Sequence, residues 1–537
     1  MEFARKTTFD PIQKIWQGPK EKRIYDRDAS IGQMVHSRML SSPNNIMQIN
    51  DSEGTKFTNA QVIQMSTRIA LNLMEKGLQQ SDFVGIMAGN TSYVMPVVFG
   101  CYFAGIPHHP VDISFNGDLI AHCWGKTKPK VIFCDGSVYC LVKETVEKLR
   151  LSCSVYTLNN HLENVAKIDE LLIDKGIREK LFVPVPIPSG SQTAYVLCSS
   201  GSSGLSKVVC VSHNRIRFDA EVLTCEDVLL SFSTIFWGTG LRDLHNSGMT
   251  GCTRVVMNET FSPSKAMELI EKYNVTATFL APRNVALILN CPEIETRNLK
   301  SLNNVATGGS KLPVELRTRF LKFIDQKCQF HVAYGTSEMG VVASAVIEGD
   351  LDSSGTLYPN FEVKILDING NNLGVGEEGE IYIRYDREWM GYYGDKAATW
   401  EVYQNGWYKT GDLGRFDEKG FIYIVDRIAD VMKSKGFHVS PSEIEGLIVK
   451  LPEVQEVSVC GIPDVMTINL PAALVVKKQG TEVSGEVIQK YVAEKMPHFK
   501  HLSGGVYFVD SLPRTASGKV IRKSVQEHAE KYYKSRS

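Results

Sequence analysis

The sequence predicts an α/β protein with an α+β tail: a large N-terminal α/β domain carrying a β-rich subdomain, then a small C-terminal α+β domain. Three observations predict it. Between 58 and 153, helix-periodic stretches alternate with short apolar runs closed by glycine, such as "FVGIMAG" and "KVIFCDG", the rhythm of buried strands in α/β domains. From Thr356 onward the pattern changes to half-exposed strands and turns, "FEVKILDINGNN", "EGEIYIRY" and "GFIYIVD", as in antiparallel sheet. The chain's 537 residues also exceed the size at which one hydrophobic core stops growing.

The elements follow in order. The opening "MEFARKTTFDPIQKIWQG" mixes acids, bases and proline and lacks the apolar core of a secretory signal, so export is not expected. The most apolar run, "YVMPVVFGCYFAGIP", is interrupted by Pro96 and Pro107 and is shorter than the roughly 20 residues that span a bilayer; it reads as core. A Pro-rich connector, "VPVPIPSGSQ", precedes the strand-like "TAYVLCSS", "TRVVM", "ATFLAP" and "NNVATGG", with a helix over 266–273. "SPSEIEGLIVKL" opens a late helix, with Ser440 as N-cap, Pro441 at the first position and Glu443 completing a capping box.

Composition narrows the function. Hydrophobic residues make up 43% and charged residues 22%, close to soluble globular averages. With 59 basic and 60 acidic side chains and a net charge of -1, no overall field favours nucleic acid or an anionic membrane, so any anion must be held locally. Twelve cysteines occur without a C-x-x-C pair, which indicates reduced, mostly buried thiols. His108 and His109 adjoin prolines, and no Cys/His ligand spacing or H-E-x-x-H occurs, so no zinc site is expected. No G-x-S-x-G elbow with a triad supports a hydrolase.

Several stretches carry candidate chemistry beside a plainer reading. "SSGSSGLSKVV" forms a loop between two strands, where Gly and Ser converge backbone and hydroxyl donors on a polyphosphate and Lys207 adds charge, or it is a surface turn. "GVGEEG" matches a dinucleotide pattern but precedes a strand, so it is a turn. "AYGTSEMG" sets Ser337 and Glu338 after a Tyr-Gly turn, suited to magnesium and phosphate together, or it starts a helix with an acidic first turn. "GWYKTGDLG" offers Asp412 to paired ribose hydroxyls or is an ordinary Asp turn. Arg427, Lys433 and Lys435 in "DRIADVMKSKGFHV", and Lys519 in "LPRTASGKVIRK", read alone as solvated basic turns.

Together and in this order, these stretches resemble the AMP-forming adenylating superfamily, which includes acyl-CoA synthetases, peptide-synthetase adenylation domains and beetle luciferases. "SSGSSGLSKVV" matches its phosphate loop, "ATGGSKL" its adenine-side strand, "YGTSE" its acidic motif and "GWYKTGD" its ribose motif. "DRIADVMKSKGFHVSPSEIE" matches the hinge and start of the small domain, and "PRTASGK" the terminal lysine motif. The likeness spans nearly the whole chain and is nearest to insect luciferase-like acyl-CoA synthetases.

The resemblance implies a two-sheet N-terminal domain over 1–425 with its β-rich subdomain from about 356, a hinge over 426–430 and a mobile lid over 431–537. It implies an ATP-dependent acid:CoA ligase acting on a fatty or aryl acid through an acyl-adenylate, with ATP, Mg²⁺ and coenzyme A as cofactors and no nucleic-acid partner. Ser199, Ser200, Gly201, Ser202, Ser203, Gly204 and Lys207 would then embrace the β- and γ-phosphates. Gly309, Ser310, Tyr334 and Gly335 would frame the adenine, Ser337 touch the α-phosphate, Glu338 bind Mg²⁺, and Asp412 and Arg427 hold the ribose. Lys519 would serve adenylation, and Lys433, Lys435 and Gly436 would replace it for CoA after the lid swings. Phe236, Trp237, Gly308 and Met339 would line the acyl pocket.

Departures from the family pattern also stand in the sequence. The phosphate loop ends Ser206-Lys207-Val208 instead of Pro-Lys-Gly, the hinge residue is Ala429 instead of Asp or Lys, and Phe236 and Trp237 replace the paired histidines of luciferases. The last change argues against light emission; the others motivate a catalytically weakened acyl- or nucleotide-binding homologue as one alternative, and an adenylating enzyme with an acceptor other than CoA is a second. Members of the resembled family often end in a peroxisomal tripeptide like S-K-L; here the last three residues read Ser535-Arg536-Ser537, a weak version, so an intracellular site, peroxisome or cytoplasm, is expected.

Overall fold

A computed structural model describes residues 6–20, 28–199, 206–216, 223–345, 352–464, 466–515 and 519–535. Ser200, Gly201, Ser202, Ser203 and Gly204 of the expected phosphate loop, and Arg536 and Ser537, lie outside the described residues.

Four sheets organise the described residues. In the first, Val84–Met87, His108–Pro110, Val131–Cys134 and Ser154–Thr157 run parallel with Thr193–Cys198, and Val208–Ser212 closes one edge antiparallel. The second has a parallel centre, Ile46–Asn50, Thr253–Val256, Val228–Leu230, Ala277–Phe279, Asn304–Gly308 and Gln329–Thr336, flanked by antiparallel edges. Their strands are fully apolar where both faces are covered, as in "VIFC". Val94–Ala104 is the helix that the most apolar run forms, with every residue buried and Pro96 in the first turn, where the missing N–H costs nothing.

The third sheet is antiparallel and alternates inward and outward side chains over Phe361–Leu366, Gly379–Tyr385, Trp407–Phe416 and Ile422–Arg427. "GVGEEG" is the turn leading into Gly379–Tyr385, as expected. The fourth sheet begins at Met432–Ser434 and pairs Val454–Asp464, Ile468–Lys477 and Gly505–Phe508 with helices Pro441–Ile448, Gly485–Lys495 and Arg522–Lys534. This is the small α+β domain. The third sheet ends at Arg427 and the fourth starts at Met432; between them Asp430 N and Val431 N both donate to Arg427 O, forming a turn that contains Ala429.

Two local expectations are corrected. Helix Pro441–Ile448 starts where expected, but no capping box forms. Ser440 Oγ donates to Asp426 Oδ2 at 2.6 Å, the same carboxylate accepts from Ser442 N at 3.1 Å, and Glu443 pairs with Lys500. A carboxylate from the preceding sheet has taken the cap's place, fastening the small domain to the strand before it. "AYGTSEMG" is neither a Tyr-Gly turn nor a helix start. Tyr334 and Gly335 lie within strand Gln329–Thr336, which pairs back on Gly340–Ala345, and Ser337 to Met339 form the hairpin tip.

Candidate active site

The four sheets meet around one crevice of about 2580 Å³. Phe232, Met257, Ala281 and Gly309, which line it, follow the carboxyl ends of parallel strands in the second sheet, the usual ligand face of open α/β sheets. Ser199, Lys207, Gly308, Gly309, Ser310, Tyr334, Gly335, Ser337, Glu338, Met339, Asp412, Arg427 and Lys519 line it too. Residues separated by more than 300 positions in the chain thus share one space.

At the first sheet's edge, Ser199 N donates to Lys207 O at 2.8 Å and Lys207 N donates to Ser199 Oγ at 3.1 Å. These bonds pin the mouth of the 199–207 loop. Val208, where the family has glycine, is buried as the first residue of its strand, opposite Cys198. Lys207 Nζ lies 4.8 Å from the centre of the Tyr392 ring, a cation–π contact. The Tyr392 hydroxyl donates to Glu338 Oε1 at 2.8 Å.

Glu338 occupies the hairpin tip and is 9% exposed. Thr336 Oγ1 accepts from Met339 N at 3.0 Å, and Arg215 Nη2 donates to Glu338 O at 2.9 Å, which holds the tip. A cation is therefore buried under the acidic motif. Burial, then the Glu338 charge, pushes the pKa of both Tyr392 and Tyr408 up, so these phenols remain donors. Gly335 is required here: a Cβ on it would meet Gly340 O at 2.3 Å.

Asp412 lies on strand Trp407–Phe416 directly opposite Arg427 of Ile422–Arg427, so "GWYKTGDLG" is strand and not a turn. Asp412 is 4% exposed; Arg427 Nε stands 2.7 Å from its Oδ1 and Tyr334 Oη donates to its Oδ2 at 2.8 Å. Burial raises the Asp412 pKa while Arg427 and Tyr334 oppose it.

Lys519 enters from the small domain. A Cβ built on Gly309, whose φ of +85° suits glycine, would stand 3.9 Å from Lys519 Cε. Desolvation between the lobes, then repulsion by Arg427, lowers the Lys519 pKa, with Asp412 and Glu338 opposing. Lys433, Lys435 and Gly436 do not line the crevice: Lys435 and Gly436, at φ +52° and +84°, turn the hairpin between Met432–Ser434 and Phe437–Val439. Trp237 lines the crevice, but Phe236 does not; it packs edge-on against Phe115 within the core of the first sheet. Phe236, expected beside the acyl pocket, thus stands behind the crevice wall and not on it.

The AMP-binding enzyme family model matches residues 37–393, and the AMP-binding enzyme C-terminal domain matches 443–519. The chain belongs to the AMP-binding enzyme family. Within this family of AMP-forming adenylating enzymes it is 30% identical to luciferin 4-monooxygenase of Photuris pensylvanica over 497 residues, 88% of this chain and 89% of that protein. It is 26% identical to the probable 4-coumarate–CoA ligase 1 of Dictyostelium discoideum, over 95% of this chain and 97% of the other. Its fold is that of the ATP-bound MatB of Rhodopseudomonas palustris, with a TM-score of 0.84 at 22% identity over 94% of this chain and 100% of that one.

Three contributors to the site escaped the sequence. Arg215 carried no motif. Tyr392 sits in "GYYGD", outside every stretch singled out, and Tyr408 stood unremarked inside "GWYKTGD". A tyrosine pair set between two glycines in the β-rich part was the available signal for Tyr392.

Proposed function

We propose that the protein is an acid:CoA ligase that activates a fatty or aryl carboxylic acid with ATP and transfers the acyl group to coenzyme A. The observation that carries this reading is the gathering of Lys207, Glu338, Asp412, Arg427 and Lys519 around a single crevice. Likeness to 4-coumarate–CoA ligases along the whole chain supports the choice of acceptor.

In the first half-reaction the acid's carboxylate attacks the α-phosphate of ATP and pyrophosphate leaves, giving the acyl-adenylate. Lys207, fixed over Tyr392, meets the leaving phosphates at the mouth of the loop. Lys519 neutralises charge growing on the α-phosphate and acyl oxygens, as a prepositioned cation does. The two Asp412 oxygens each accept one protein hydrogen bond or ion pair and retain lone pairs for the ribose hydroxyls.

Glu338 fits a magnesium ion: its carboxylate faces the crevice, and Mg²⁺ takes one or two protein carboxylates beside substrate phosphates. Bound there, the ion would neutralise phosphate charge. Tyr392 and Arg215 hold the Glu338 side chain and backbone in place for it.

In the second half-reaction CoA thiolate attacks the adenylate carbonyl and AMP departs. Lys433, Lys435 and Gly436 lie outside the crevice, so this step requires rotation of the small domain about the 426–430 turn. An acid panel scored for AMP release with and without CoA tests the proposal. Acid- and CoA-dependent release supports it; CoA-independent release would assign another acceptor, and ATP binding without acid-dependent pyrophosphate exchange would assign a nucleotide sensor.

A further inference from the structure

A buried cluster of sulfur and imidazole lies directly behind the loop mouth. Cys198 ends strand Thr193–Cys198, and Cys123 sits on helix Gly117–Thr127, with the two Sγ atoms 2.8 Å apart. That is closer than non-bonded sulfurs ordinarily come, yet short of a covalent bond of about 2.0 Å. His109 Nε2 lies 3.4 Å from Cys198 Sγ, while its Nδ1 is 2.9 Å from Thr127 Oγ1. With Nδ1 engaged by Thr127, Nε2 is the ring nitrogen that faces Cys198 Sγ, within reach of its proton when that thiol turns from Cys123. No spacing along the chain marks this cluster, because the three residues come from a strand, a helix and a second strand.

The donor set resembles a metal site, but the distances favour sulfur chemistry. Two thiolates bound to zinc at about 2.3 Å each would be held well apart, and a structural zinc takes four ligands; three are brought together among the described residues. The Cys198 thiol donating to Cys123, helped by His109 and opposed by burial, lowers the Cys123 pKa, and the same contact together with burial raises that of Cys198. One S–H shared between the two sulfurs thus favours loss of the other's proton, the condition for thiol oxidation chemistry. Cys123 is fully buried and Cys198 is 5% exposed, and neither lines the crevice; its wall reaches the pair only through Leu197 and Ser199 on either side of Cys198, so a small oxidant enters there. Helix Gly117–Thr127 also touches the other end of the loop, where His122 Nε2 lies 2.8 Å from Ser206 O.

We propose that Cys123 and Cys198 are an oxidation site at which hydrogen peroxide closes a disulfide, and that the closure weakens ATP binding at the adjoining loop mouth. Cys123 thiolate attacks a peroxide oxygen, the O–O bond breaks, hydroxide leaves, and a sulfenic acid forms. Cys198, giving its proton to His109 Nε2, then attacks the sulfenic sulfur; the S–S bond forms, the S–O bond breaks, and hydroxide leaves. Two thiols and one peroxide yield one disulfide and two waters. Drawing Cys198 toward the helix displaces Ser199, which carries both bonds to Lys207. The second half of the inference rests on the nucleotide reading of the crevice; the disulfide does not.

The full-length reduced protein is treated with hydrogen peroxide, alkylated, and digested without reductant for peptide mass spectrometry. ATP affinity is read in parallel by displacement of a fluorescent nucleotide, so turnover is not needed. The expected result is a peptide joining Cys123 to Cys198, with ATP affinity lowered about five- to tenfold and restored by dithiothreitol. Cys123→Ser and Cys198→Ser should each lack both responses, while the exposed thiols Cys140 and Cys225 oxidise in every variant. Absence of the joined peptide, or its presence with unchanged ATP affinity, overturns the proposal. So does stoichiometric zinc or copper in the reduced protein that Cys198→Ser loses, which would make the cluster a metal site. A joined peptide in a protein that binds no ATP even when reduced overturns the nucleotide reading and leaves the oxidation site standing.

Discussion

Arg427 Nε lies 2.7 Å from Asp412 Oδ1 because the two residues face each other across adjacent antiparallel strands. The carboxylate is buried and the guanidinium half exposed. Losing the cation leaves the buried carboxylate without its counter-charge, though still bonded to the Tyr334 hydroxyl. The usual cost of about 3–5 kcal/mol for breaking a buried pair is reduced here by solvent reaching Arg427, to ~1 kcal/mol. Arg427→Ala should therefore lower stability only modestly in denaturant titration while weakening ATP affinity at least tenfold. An unchanged ATP affinity would separate the pair from the nucleotide.

Tyr392→Phe tests how Glu338 is held. The phenyl ring preserves the contact with Lys207 and removes only the hydrogen bond to Oε1, a bond to a charged group worth about 1.5–3 kcal/mol. The magnesium concentration giving half-maximal pyrophosphate exchange should rise about tenfold. A fall in exchange with unaltered magnesium dependence would count against a metal role for Glu338.

Asp135, on the wall of the same crevice, gives a pH signature in folding stability. Burial, at 5% exposure, raises its pKa from 3.8 to about 6, with the Gly89 N–H opposing and Glu53 adding to the rise. Because the folded pKa is the higher one, the folded state binds the extra proton between these values, and stability falls as pH rises through the window. At 1.36 kcal/mol per unit, the loss is at most about 3 kcal/mol between pH 4 and pH 6. Denaturant titrations of wild type and Asp135→Asn across that range should show the loss only in wild type; parallel curves would refute it.

Much of this was legible because the period of the apolar pattern reports what covers a strand. "KVIFCDG" is apolar throughout and forms an inner strand of the first sheet, whereas "EGEIYIRY" alternates and forms one with a polar face. The site's order along the chain was legible because glycines and acids must recur where backbone closely approaches a ligand. The capping box failed because a tertiary partner, Asp426, outcompeted the local one. Arg215, Tyr392 and the Cys123–Cys198–His109 cluster were invisible for a related reason: each owes its role to a neighbour in space that no sequence spacing encodes.

The most direct test of the central claim separates the two half-reactions in Lys519→Ala. If Lys519 works in the crevice beside Gly309 during adenylation and withdraws with the small domain afterward, acid-dependent pyrophosphate exchange should fall by about 10²–10³-fold, the scale of a lost charge-stabilising donor. Conversion of supplied acyl-adenylate and CoA to thioester should stay within threefold of wild type, roughly 0.7 kcal/mol in barrier. Equal loss of both half-reactions, or exchange that survives the substitution, would contradict it.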